Sequence, residues 1–363
     1  MKLPRIRRVW IVAATFVIAT FAAAMVAATT AAGEHNSYVV HNLVSDVAGR
    51  ADKVDTKLVN GWGLDARPTS PWWVADNETD LSTLYLANGD KLGLEVQVPH
   101  APTGLVANPG TGADFVVSNG VTSGSALFIF ATEEGKILGW SPAVAPTQAL
   151  VAADKSGAGA IFKGLAVAST PAGDFLYATD FHNGQVDVFD DSFGDVNMPG
   201  AFVDPTLPAG FAPFGIQSIG DHIFVTYAKQ DAAMEDEVAG QGLGFVDEFD
   251  TDGNFLGRVA GHGQLNAPWG LAAAPSNFGR FGGDLLIGNF GDGQINAFAQ
   301  QPRGNYEHRG ELKGSDGRSI AIDGLWALQF GKGANNNGPT DTLFFTAGPD
   351  EESHGLFGTI RSE

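Results

Sequence analysis

Residues 267–275 read APWGLAAAP, a tryptophan and a glycine followed by a run of small apolar residues. Related phrases recur as NGWGLDARP (60–68), PTGLVANP (102–109), FKGLAVAST (162–170), PFGIQSIG (213–220) and LWALQFG (325–331). The shared anchor is a glycine, at Gly63, Gly104, Gly164, Gly215 and Gly270, with Ala327 in the remaining copy. Successive anchors lie 41 to 60 residues apart. Such a period belongs to a repeated structural unit rather than to a single ligand motif.

A second apolar run follows each anchor after a turn: WWVADN (72–77), DFVVSNG (114–120), DFLYATDFHNG (174–184), DHIFVTYAKQ (221–230), DLLIGNFGDG (284–293) and TLFFTAG (342–348). A third run usually comes next. Apolar positions are continuous or alternating, which is strand behaviour, and no segment carries a four-turn amphipathic helix. Glycine contributes 48 of 363 residues, about twice ordinary usage, and phenylalanine 25. Glycine turns between short aromatic strands fit both numbers. A small sheet cannot bury both faces alone, so repeated sheets stack around an axis. The expected fold is all-β, a six-bladed β-propeller over residues 37–361, with small anchors where the innermost strands converge. The sixth unit ends one strand short after GLFGTI, while SYVVHNLVS (37–45) precedes the first unit unassigned. The last blade is therefore expected to be closed by the N-terminal strand, which leaves no open edge. The Ala/Pro-rich piece 141–160 lies in the longest gap and reads either as a loop or as additional structure.

Residues 1–32 read as a signal peptide cleaved after Ala32, with an uncleaved anchor as the alternative. Lys2, Arg5, Arg7 and Arg8 form a basic head, an apolar stretch runs from Val9 to Ala28, and small residues precede Ala32. The expected location is secreted or periplasmic, with no membrane span in the mature chain. Acidic residues outnumber basic ones 41 to 21, for a net charge of -20. That surface repels phosphates and argues against a nucleic-acid partner. The absence of cysteine excludes thiol catalysis and thiolate metal sites, and a chain of this length needs no disulfide staples.

In a closed propeller the start of each innermost strand and the end of each second strand share one face. The ligand-binding candidates at that mouth are Trp62, Lys163, Phe214, Trp269 and Trp326, with Thr103 in the remaining unit. The polar mouth candidates are Asn60, Asp76, Asn119, Asp180, His182, Asn289 and Asp323. Tryptophan offers flat apolar area with one donor, suited to sugars or aromatic ligands. The competing reading is that the large residues wedge neighbouring blades, while short Asp and Asn side chains accept N–H groups of tight turns. His182, near Asp180 and Asp187, is a candidate base or metal ligand, or else an exposed loop histidine. No cofactor motif is evident, but Asp and Asn oxygens around a mouth suit calcium or another divalent cation. FDTDGNFLG (249–257) begins like a calcium loop, yet Gly261 stands where the twelfth-position acid belongs, so it reads as a turn. Insertions at 228–243 and 331–341 read as lids or as solvent-facing slack.

The stretch YATDFHNGQVDVFD (177–190) resembles the NHL-type propeller repeat, in which an Asp and a following Asn, here Asp180 and Asn183, organise a hairpin. NLVSD (42–46), NGWGL (60–64), APWGLAAAP and IDGLWAL (322–328) resemble an exported bacterial propeller family of unknown function. The wider resemblance is to gluconolactonase-like six-bladed propellers. It implies an axial divalent metal held by residues just before inner-strand glycines. Here those places hold Trp62, Thr103, Lys163, Phe214 and Trp269; only Asp323 before Gly324 and Asn60 before Gly61 match a ligand type. The reading that follows is a secreted binding or interaction module, whose partner is a glycan, a cell-envelope component or an extracellular protein. The alternative is an axial-metal hydrolase or lyase using Asn60, Asp76, Asp180 or Asp323, with His182 as base.

Overall fold

Six antiparallel sheets follow one another along the chain in a computed structural model that describes residues 37–110 and 112–363. The expected signal peptide lies outside the described residues. Blade 1 is built from Gly61–Asp65, Trp72–Asp76, Leu81–Tyr85 and Val96–Gln97. Blade 2 takes Pro102–Ala107, Phe128–Thr132, Lys136–Trp140 and Leu150–Asp154. Blade 3 has three strands, Phe162–Thr170, Gly173–Asp180 and Gln185–Phe189. Blade 4 comprises Phe211–Ile219, His222–Lys229, Gly244–Asp250 and Phe255–Gly261; blade 5 comprises Pro268–Ala273, Leu285–Asn289, Ile295–Gln300 and Tyr306–Glu311. In blade 6, Leu325–Phe330, Leu343–Ala347 and Leu356–Ser362 come from the C-terminal end. Its next strand is Tyr38–Ser45, antiparallel to Leu356–Ser362, with Tyr38 opposite Ser362 and Ser45 opposite Leu356. The N-terminal strand thus closes the six-bladed propeller, as the unassigned run at 37–45 and the missing strand of the sixth unit suggested.

One strand differs from the sequence reading. The second strand of blade 2 is Phe128–Thr132, not the DFVVSNG run. Val116–Ser118 instead pairs with Ser123–Ser125 in a separate two-stranded hairpin. That insertion lies within the 60-residue gap, and Leu150–Asp154 occupies part of the piece at 141–160. Both candidates are apolar and β-branched, so propensity alone does not choose between them. FIFAT pairs between Pro102–Ala107 and Lys136–Trp140, with Phe128 and Phe130 packed among Trp73 and Trp140, while Phe115 and Val117 of the other run are buried in a different cluster.

The anchors explain themselves by distance. A Cβ on Gly63 would stand 2.5 Å from the Thr103 carbonyl oxygen of the next blade; on Gly104, 2.3 Å from Leu165 N. On Gly215 it would meet Trp269 O at 2.1 Å, and on Gly270 Trp326 O at 2.4 Å. Gly164 is a little looser, 2.9 Å from Phe214 O. Innermost strands therefore touch backbone to backbone around the ring. Side-chain hydroxyls tie the same seams: Thr103 Oγ1 donates to Phe162 O, Thr179 Oγ1 to Phe214 O and Thr346 Oγ1 to Trp62 O, at 2.6 to 2.7 Å.

Gly215→Ala is expected to lower the unfolding free energy by about 2–4 kcal/mol, because carbonyl and Cβ cannot share that space without moving a blade. Gly257→Ala, with nothing within 4 Å of its Cβ, is expected to change stability by less than about 0.5 kcal/mol. Urea unfolding of the two variants checks the contrast.

Candidate functional site

Each innermost strand loses register with its neighbour beside the anchor. Shifts fall between Gly61 and Leu64, Phe162 and Gly164, Pro213 and Ile216, Pro268 and Gly270, and Leu325 and Leu328, with an equivalent one in blade 2. A bulge re-aims the residue it contains. The residues so placed are Trp62, Thr103, Lys163, Phe214, Trp269 and Trp326.

The aromatic members close the channel instead of lining an open cup. Trp62 stacks on Trp326 with ring centroids 3.6 Å apart, and Phe290 stacks on the same Trp326 at 4.1 Å. Trp269 meets both indoles edge-on, at 6.2 and 5.7 Å, and Phe214 meets Trp326 at 5.9 Å. Trp62, Phe214 and Trp326 are buried, and Trp269 is partly so. Three indoles in the narrow middle of six converging strands find each other before they find solvent. Beneath them, among Leu64, Leu105, Leu165 and Ile216, a cavity of about 20 Å³ remains, room for about one water. Gln329 bonds Gln217 across the axis there at 3.4 Å.

Above the plug, Lys163 is the centre of a charged cluster. Its side chain is only 2% exposed, and Nζ lies 2.6 Å from Glu133 Oε1, 3.1 Å from Asp236 Oδ1 and 5.3 Å from the Trp62 ring centre. Asn60 links this layer to the plug: it accepts from Trp326 Nε1 at 2.9 Å and donates to Glu352 Oε2 at 2.7 Å. Asn77 donates to Glu133 Oε2 at 3.1 Å. The sequence reading named Lys163, Trp62, Trp326 and Asn60 and missed Glu133, Asp236, Glu237, Glu352 and Asn77. All the missed residues sit in loops joining second to third strands. The signal for the four acids was the acidic turns TEEGK, MEDEV and PDEES at those joints. The 228–243 insertion covers the mouth: Gln230 Nε2 donates to Phe181 O, and Gly240 N to Asn266 Oδ1.

The other polar candidates do not join this cluster. Asp180 accepts from Ile161 N and Asn183 N and Nδ2, the hairpin role that the repeat resemblance implies. Asp76 accepts from Thr83 N, Asn289 donates to Gln264 O and Asp292 Oδ1, and Asp323 accepts from Asp350 N. Asn119 belongs to the turn of the blade 2 hairpin, away from the end of a second strand, because that run is not part of the blade. His182 reaches Met234 O at 3.3 Å. Among the described residues no three His, Cys, Asp or Glu side chains form a metal-binding group. An axial divalent cation also does not fit this mouth, because the Lys163 ammonium already stands among its carboxylates.

No family model matches the chain. It is 34% identical over 337 residues to the uncharacterized protein R648 of Acanthamoeba polyphaga mimivirus, covering 89% of this chain and 80% of that protein. It is 30% identical over 338 residues to the uncharacterized protein L690 of the same virus, covering 89% and 86%. Among solved structures, a catalytically inactive virginiamycin B lyase from Staphylococcus aureus with quinupristin superposes with a TM-score of 0.52 at 14% identity, over 89% of this chain and 95% of that one. A protein of unknown function from Bacteroides thetaiotaomicron reaches 0.56 at 10% identity, over 90% and 76%. At these identities the likeness is one of fold.

Burial opposes the charge on Lys163, but Glu133, Glu237 and Asp236 outweigh it and raise its pKa. Burial pushes Glu237 up to about 8 against the pull of Lys163, and raises Glu352 and Asp76 as well. Asp187 is raised to about 6, mainly by burial. In each carboxyl the folded state binds its proton more tightly than the unfolded chain does. Stability is then present at low pH and lost as pH rises towards the folded pKa. The thermal midpoint is expected to fall as pH rises from about 5 to 8, and Glu237→Gln to flatten the upper part of that slope. Thermal melts across that range test both expectations.

Proposed function

This chain belongs to the same family as the mimivirus proteins R648 and L690, and from that premise we propose that it is a secreted binding and interaction module. The partner in this reading is a glycan, a cell-envelope component or an extracellular protein. The observation that supports it most is the closed axis: stacked indoles fill the channel, and Lys163 with Glu133 seals the layer above. Such a mouth offers a rigid acidic surface framed by loops, with Asp236 72% exposed at its rim. A reacting group would need a cavity there, and the indoles occupy that space.

The axial-metal hydrolase or lyase reading is weaker on residue placement. Asp76, Asp180 and Asp323 each serve a local backbone group, and Asn60 is committed to Trp326 and Glu352. A glycan array probed with the purified protein separates the two. Binding is expected to survive EDTA and to weaken by about tenfold in Asp236→Ala. Stoichiometric calcium or zinc that disappears in Asp180→Ala or Asp323→Ala would overturn the module reading in favour of the hydrolase.

A further inference from the structure

Between blades 4 and 5, on the face opposite the Lys163 mouth, a cavity of about 180 Å³ opens among Ile219, His222, Phe224, Glu248, Asp284 and Tyr306. Small residues make the room. Ala273 ends the innermost strand of blade 5, and Gly283, at φ +89°, has nothing within 4 Å of where a Cβ would stand. The walls then combine two kinds of chemistry. Phe224 and Tyr306 present rings at right angles, 6.4 Å apart, beside the aliphatic Ile219 and Leu285. Opposed to these are carboxyls. Glu248, 4% exposed, is bonded by His222 Nδ1, and burial together with the charge of Glu248 raises the pKa of Tyr306.

Asp284 is the unexplained member. It is 6% exposed, lines the cavity, and its Oδ2 has no hydrogen-bond partner. A buried polar oxygen left unpaired costs free energy, and native structures keep few of them. Burial raises the pKa of this carboxyl, with Arg309 opposing. A ligand suited to these walls has one apolar face, a rim of hydroxyls and the size of a single ring.

We propose that this inter-blade pocket binds one pyranose ring, stacked on Tyr306 with its edge against Phe224 and donating a hydroxyl to the Asp284 carboxyl. The site lies on the other face from the mouth and stands independently of the reading given to it. Saturation-transfer NMR on the full protein tests it, with methyl β-D-glucopyranoside, methyl β-D-galactopyranoside and methyl α-D-mannopyranoside as probes and butylammonium chloride as a cationic control. At least one pyranoside is expected to saturate with a Kd of about 1 mM, the range for ligands this small. Asp284→Ala and Tyr306→Ala are each expected to weaken it by about tenfold. Asp284→Ala is further expected to keep or raise the thermal midpoint, since it removes an unpaired buried oxygen; a purely structural aspartate would lower it. If that variant does not fold, Tyr306→Phe, which keeps the ring, is expected to retain most of the binding that Tyr306→Ala loses. The proposal is overturned if no pyranoside saturates by about 50 mM, if binding is indifferent to both alanine variants, or if only butylammonium binds.

Discussion

Backbone meeting backbone at the centre of the disc is the constraint on which the rest depends. Gly63, Gly104, Gly164, Gly215 and Gly270 each stand where a methyl group would collide with, or press tightly against, the next innermost strand. Because the strands touch there, the residue before each anchor is forced into a bulge and turned to the axis. The seam between blades 6 and 1 carries Ala327 in place of a glycine, and there Thr346 holds the Trp62 carbonyl. Packing thus prescribes both which residues are small and which face the channel.

What fills the channel follows from which side chains the bulges deliver. Trp62, Trp269, Trp326 and Phe214 are too large to stand apart in that space, so they stack into an apolar plug. Lys163 and Thr103 are the two polar deliveries. Thr103 satisfies itself on a neighbouring carbonyl. Lys163 has no such partner nearby, and four acidic side chains contributed by separate loops gather round it. Removing any one carboxyl leaves others, whereas removing the buried ammonium leaves a set of acidic groups without their counter-charge.

The architecture was legible in the sequence because its cause is local and repeated: a small residue at a fixed place in each unit. The closing strand was legible too, since Tyr38–Ser45 was a strand pattern with no blade of its own. Asp180 and Asn183 were readable because their bonds lie within one turn. The second strand of blade 2 was not, because two apolar runs compete there and both find buried positions, in different clusters of the finished fold. The mouth was half legible. Residues on the innermost strands could be placed by period, but Glu133, Asp236 and Glu352 come from loops of unequal length whose approach depends on the finished ring. The pocket holding Asp284 was invisible for the same reason, since its walls belong to two blades.

The pairing of Tyr38–Ser45 with Leu356–Ser362 also sets how the molecule answers mechanical load. Tyr38 faces Ser362, so the first and last strands meet at Tyr38 and Ser362 at one end of an antiparallel pair. Tension applied between them would part the ladder one rung at a time rather than shear all its hydrogen bonds together. The clasp of the disc is therefore weak against a pull applied at Tyr38 and Ser362, where each rung bears the load alone.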